Sequence, residues 1–234
     1  MNKTSIFVLM IGIIILAGCS NQNLTSQNYG IAQNNATNTG NNKNTSSSST
    51  GDTTPYGLVQ AKILGLNPYS NDTDGDGVPD KQDSNPNQAD MTITSSGSDG
   101  FAISSAIVEN NVDPTTQTGV SDHLEITLHS TAASDIKNVR VYYSIKDITN
   151  GRTESYIVPL SGFVLKAGST ETIHFDAQKS ANEQFPQNHF AANPNSMYYL
   201  NSNALEFNII IAADGYNAQT IKVTKAAGGA EQAD

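Results

Sequence analysis

The sequence predicts a mainly β protein, with a β-sandwich over residues 91–225 behind a short helix, an acidic loop and a polar N-terminal segment. Alternation is the first reason. In His123–His129, Leu124, Ile126 and Leu128 alternate with Glu125 and Thr127, and Val139–Ile145 and Leu205–Ile211 keep the same period of two, as strands buried on one face require. Ile173 with Phe175 and Ile221 with Val223 extend the set. Turn chemistry is the second reason. Asn150-Gly151 and Asp214-Gly215 each separate two strand-like runs, and such dipeptides supply the positive φ angles that tight hairpins need. Ala167-Gly168 sits likewise between Phe163–Leu165 and Thr170–Phe175. Helical periodicity is almost absent here, and many short strands with regular turns favour two packed sheets. Gln178–Ser196 departs from the pattern: polar and irregular, it reads as a long loop or a short helix.

At the N-terminus Lys3 precedes an apolar run, Ile6–Leu16, broken only by Gly12. The run has the length of a signal h-region rather than the roughly 20 residues of a membrane span. It ends in Leu16-Ala17-Gly18-Cys19, and Cys19 is the one cysteine of the 234 residues, so no disulfide framework exists to explain it. These four residues resemble the lipobox of prokaryotic lipoproteins. The resemblance implies removal of residues 1–18 as a signal peptide, lipidation of the Cys19 thiol, and an exported protein anchored to the cell membrane. Ser20 after the cysteine is compatible with outer-membrane sorting in a Gram-negative host, again by resemblance.

Residues 19–54 are dominated by Asn, Ser, Thr, Gln and Gly, with one charge, Lys43, and one aromatic, Tyr29, between Ser20 and Gly51. Such a stretch holds too little apolar surface to offset the entropy of ordering it, so a disordered tether is expected. Some 32 flexible residues reach roughly 30 Å. Asn-x-Ser/Thr sequons at Asn23, Asn35, Asn44 and Asn71 arise easily in so Asn-rich a chain. In Pro55–Leu66 the residues Leu58, Val59, Lys62, Ile63 and Leu66 recur at helical spacing, and Gly65 and Pro68 stop the helix. A helix this short is not stable alone and is expected to pack on the segment after it.

That segment is Asp72-Thr73-Asp74-Gly75-Asp76-Gly77-Val78-Pro79-Asp80-Lys81-Gln82-Asp83, with carboxylates at positions 1, 3, 5, 9 and 12 and glycine at position 6. This spacing lets one short loop surround a hard cation with oxygens. Asp72, Asp74 and Asp76 alternate inward, Gly77 allows the turn, Val78 offers its carbonyl, Asp80 binds directly or through water, and Asp83 closes the shell. Pro79 has no N–H for pairing with a partner loop. Asp83 replaces the long bidentate glutamate of a regulatory EF-hand, and Ser84-Asn85-Pro86-Asn87 leaves no second helix. A single EF-hand-like site, structural rather than sensory, is expected. The passage from Tyr56 to Asp90 resembles a prokaryotic thrombospondin type-3 repeat, with Ala61–Pro68 similar to the helix leading into such repeats. The resemblance implies that Asp72, Asp74, Asp76, Asp80 and Asp83 hold calcium. The sandwich itself resembles immunoglobulin-like or fibronectin-III-like domains in architecture only, without the Cys…Trp…Cys pattern of antibody domains.

A net charge of −10 disfavours a nucleic-acid partner, because phosphate binding needs a basic face. His123 and His129 lie about 20 Å apart along one strand and cannot share an ion; His174 and His189 read as surface residues. Tyr142, Tyr156, Tyr198 and Tyr199 offer either a sugar-stacking surface or ordinary strand packing. No catalytic motif occurs, so no catalytic residue is expected. The reading is a non-enzymatic, calcium-binding surface lipoprotein. Calcium stiffens a spacer that presents the sandwich to a surface protein or polysaccharide. A carbohydrate-binding or envelope-assembly module and a small secreted hydrolase are the alternatives. Ala226–Asp234 is a small, acidic tail.

Overall fold

The computed structural model describes residues 56–108 and 123–227. Helix α1 spans Gly57–Leu64, and strands come next at β1 Phe101–Val108, β2 His123–Ser130, β3 Arg140–Asp147, β4 Thr153–Pro159 and β5 Thr170–Ala177. Then come β6 His189–Ala192, the one-turn helix α2 Met197–Leu200, β7 Leu205–Ala212 and β8 Gln219–Lys225. They form two four-stranded sheets ordered β1-β2-β5-β6 and β4-β3-β7-β8. This is the β-sandwich that the alternation predicts, and β1, β2, β5 against β3, β7, β8 match the two-sheet partition of immunoglobulin-like domains.

Period-two residues meet between the sheets. Leu124, Ile126, Leu128, Ile173 and Phe175 from one sheet and Val141, Ile145, Leu205, Phe207, Ile209 and Ile211 from the other are all buried in one cluster. Each fully buried aliphatic or aromatic side chain of this kind contributes about 1.5–3 kcal/mol. Tyr143, Tyr156, Tyr198 and Tyr199 belong to the same cluster, and Tyr142 is buried on the sheet's other side. Tyr142, Tyr156, Tyr198 and Tyr199 therefore form no exposed sugar-stacking platform; they serve packing.

The strands depart from expectation in three places. Strand β1 was not legible because a bulge between Ile103 and Ser105 shifts its register, so Phe101 and Ile103 are followed inward by Ala106 and Val108. The irregular stretch holds β6, which pairs parallel to β5, before α2 begins. Phe163–Leu165 makes only an isolated bridge, Leu165 to Ile136.

Helix α1 also faces the other way from expectation. Leu58, Val59 and Ile63 are 52%, 77% and 78% exposed, whereas Ala61 and Leu66 are 1% exposed. Polar anchoring of its C-terminal end decides this orientation. Gly65 takes a left-handed φ of 75° and the Leu66 N–H returns to the Ala61 carbonyl, a Schellman-type stop. Asn193 and Asn195 then donate side-chain amides to the Gly65 and Leu66 carbonyls, both at 2.8 Å.

Beyond residue 90 the chain crosses the outer face of the second sheet. Ile93 packs on Tyr142 and Ala212 beside Ile157, Ile210 and Ala218, and Ser98 bonds to Gly215 at the far end. The acidic loop, this strap and the sandwich lie in one compact unit, so residue 90 marks a change of sequence pattern rather than a hinge.

Candidate metal site

Local bonding folds the acidic loop tightly. The Asp80 N–H donates to the Asn71 carbonyl at 2.8 Å, closing its base. Asp72 accepts the Gly75 and Gly77 N–H groups at 2.8 and 3.0 Å, one on each carboxylate oxygen. Asp74 Oδ1 accepts the Asp76 N–H, and Asp76 Oδ1 accepts the Val78 N–H. Gly75 and Gly77 sit at φ of 75° and 97°, conformations that side-chain-bearing residues rarely hold. Each of Asp72, Asp74 and Asp76 brings a carboxylate oxygen within 4.8 Å of the other two.

These three carboxylates can hold a metal ion, and Asp74 gives the reason to expect one. The residue is 1% exposed, and its Oδ2 is buried without a hydrogen-bond partner. Burial first, and then the charges of Asp76, Asp83 and Asp72, push its pKa up to about 7 against the pull of the Asp76 N–H. A buried carboxylate oxygen without a donor is costly unless a cation meets it. The donors are all oxygens, which suits a hard cation.

Of the other expected carboxylate ligands, Asp80 and Asp83 are not in this three-carboxylate group. Asp80 turns its carboxylate to Thr73, accepting the N–H at 2.7 Å and the hydroxyl at 2.9 Å, so it braces the loop base. Burial raises its pKa, with those two bonds opposing. Asp83 stands outside the three-carboxylate group but near enough for its charge to act on Asp74; its Oδ1 takes the Asn85 N–H and its Oδ2 is buried and unpartnered. Val78 contributes its N–H to Asp76.

The loop is seated on the free edge of β4. The Ile157 N–H donates to the Asp74 carbonyl at 2.7 Å, and a Cβ on Gly75 would run into the Ile157 carbonyl oxygen. Further along, the Ser155 N–H donates to the Asn87 carbonyl and the Ser155 carbonyl accepts the Ala89 N–H, at 3.1 and 3.2 Å. Asp76 Oδ2 holds the Asp90 N–H at 3.0 Å, where the strap begins. Sequence spacing signalled none of these β4 partners, because they belong to a strand more than 60 residues away in the chain.

Two further polar clusters stand apart from the loop. Glu154 is buried, and its Oε2 accepts the Met197 N–H at 2.7 Å and the Tyr156 hydroxyl at 3.0 Å. Burial raises its pKa against those bonds. The His174 and His189 rings stack at 4.4 Å, with His189 Nδ1 2.6 Å from Asp176 and His174 Nδ1 3.5 Å from Glu125. These histidines are partly buried rather than freely exposed. A cleft of about 490 Å³, lined by Lys137, Arg140, Pro159, Phe163 and Asp214 among others, shares no residue with the loop.

Cys19, the apolar run expected to be a signal peptide and the polar segment before residue 56 lie outside the described residues. Among the described residues no helix is long and apolar enough to cross a membrane.

No family model and no curated protein matches this chain. Solved structures with local similarity include the alkylpurine DNA glycosylase AlkC of Pseudomonas fluorescens bound to DNA containing an abasic site analog, at 17% identity and TM-score 0.30 over 55% of this chain and 31% of that one. A β-glucosidase from Listeria innocua in complex with glucose aligns at 17% identity and TM-score 0.29 over 56% of this chain and 16% of that one. The sporulation control protein Spo0M of Bacillus subtilis aligns at 8% identity and TM-score 0.26, over 56% of this chain and 50% of that one. The chain thus spans less than two thirds of each of these proteins, and the likeness is too slight to carry a functional argument.

Proposed function

We propose that this chain is a non-enzymatic surface lipoprotein, held to a membrane through Cys19, whose acidic loop binds calcium and fixes a β-sandwich that serves adhesion or interaction. The observation carrying the calcium reading is the buried, donorless Oδ2 of Asp74 beside Asp72 and Asp76. Asp72, Asp74 and Asp76 would supply direct ligands, and Asp83, with its own unpartnered buried oxygen, is poised to join. Calcium would supply the positive charge that the loop lacks, since only Lys81 accompanies six aspartates between residues 71 and 90. The loop's seat on β4 supports a structural rather than a sensory role, because the loop is already bonded to the domain it would stiffen. The lipid anchor is supported by Leu16-Ala17-Gly18-Cys19 alone.

A calcium titration by calorimetry and thermal melt tests the reading, on the full chain and on its Asp74→Ala/Asp76→Ala variant. One ion should bind, with stabilisation of about 2.7 kcal/mol at a hundredfold excess over Kd, lost in the variant. An affinity near 10⁻⁴–10⁻³ M would suffice outside a cell. No binding at millimolar calcium would overturn it. Intact-mass measurement of the exported chain reads the lipid on Cys19 separately.

A further inference from the structure

We infer that the acidic loop is the latch of an edge cover. With the cation bound, residues 74–75 and 87–89 close the β4 edge. When the cation leaves, that edge pairs with the β4 edge of a second copy. The inference rests on the calcium reading of Asp72, Asp74 and Asp76.

Strand β4 borders its sheet, with β3 on one side and no strand on the other. Its outward Ile157 N–H, Ser155 N–H and Ser155 carbonyl are taken by Asp74, Asn87 and Ala89, and by no regular strand beyond a single bridge from Gln88. Two joints tie this cover to the metal site. Asp74 gives its carbonyl to Ile157 while its carboxylate faces Asp72 and Asp76. Asp76 holds the Asp90 N–H with one oxygen and belongs to the same three-carboxylate group. Removing the cation leaves the three crowded carboxylates without a counter-charge, and the cost falls on the two residues that pin the cover.

A bare β4 edge would be open to pairing. Natural edges are guarded by exposed charge, proline or bulges. β8, at the opposite border of the sheet, exposes Lys222. On β4 the acid Glu154 is turned inward and buried, and proline comes only at the last residue, Pro159. Between them the groups on Ser155 and Ile157 form an antiparallel pattern that is complementary to itself about a two-fold axis. A second copy of the chain supplies that pattern without any other partner.

The test is hydrogen exchange and native mass spectrometry of the full chain in detergent, with calcium and with a calcium chelator. Chelation should bring up a dimer, and in samples too dilute to dimerise it should speed exchange at the Ile157 and Ser155 amides about tenfold or more. Ala89→Pro removes the N–H given to Ser155 and leaves every carboxylate in place. It should bind calcium in calorimetry yet dimerise with calcium present. Calcium binding with monomers throughout, or with unchanged Ile157 exchange in the dilute monomer, would overturn the latch alone. Absence of calcium binding would overturn the calcium reading and the latch together.

Discussion

Asp74 and Asp147 are both buried carboxylates in tight turns, yet their surroundings could hardly differ more. Asp147 Oδ1 accepts the Thr149 and Asn150 N–H groups, and Oδ2 accepts the side-chain amides of Asn150, Asn201 and Asn203 at 2.6–2.8 Å. Burial alone would raise its pKa, but the bonds from Asn203 and Asn201, with those from Thr149 and Asn150, outweigh it and hold the group at about 2. Asp74 has one N–H on one oxygen, nothing on the other, and a pKa near 7. The chain evidently can surround a buried carboxylate with donors where the fold alone needs it. At Asp74 it places carboxylates there instead, an arrangement that could hold a metal ion.

The largest effect should come from Asp147→Ala, which strands five donors at once and joins no metal site. Its melting temperature should fall by about 10 °C, equally with and without calcium. A calcium-dependent loss would break the contrast between the two aspartates. Asp74→Asn should act in the opposite sense without metal. Removing a charge from the cluster should raise the metal-free melting temperature by about 2–4 °C while abolishing the response to calcium. A variant that still responded to calcium would move the ligand role elsewhere in the loop. The smallest effect is in acid. Because the folded pKa of Asp147 lies below the unfolded value of 3.8, its contribution is complete above about pH 4 and fades as pH falls toward 2. A melt series from pH 5 to 2 should show this decline in the parent chain and a shallower one in Asp147→Ala.

The core was legible because alternation reports burial directly: Leu124, Ile126, Val141, Phe207 and Ile209 all point where period two places them. The bulge in β1 broke that period and hid the strand. Helix α1 was legible as a helix, but its face was not. Its position is set by amides of Asn193 and Asn195, which no local spacing predicts. In the loop, the alternate aspartates at 72, 74 and 76 converge as their spacing implies, whereas Asp80 answers to Thr73. The strap was invisible because it rests on few apolar residues, chiefly Ile93 with Ala89 and Ala218, too sparse for any periodicity.

That strap also sets the path of mechanical load. A pull applied at residue 56 does not run straight into β1. It meets first the bonds from Asn193 to Gly65 and Asn195 to Leu66, then the Asp74–Ile157 and Asn87–Ser155 bonds at the rim of β4, then Ile93 across the sheet, then the Ser98–Gly215 bond. Each can yield before a core strand is loaded, so the N-terminal side works as a shock absorber. In single-molecule pulling it should register as a short, low-force extension ahead of the main rupture.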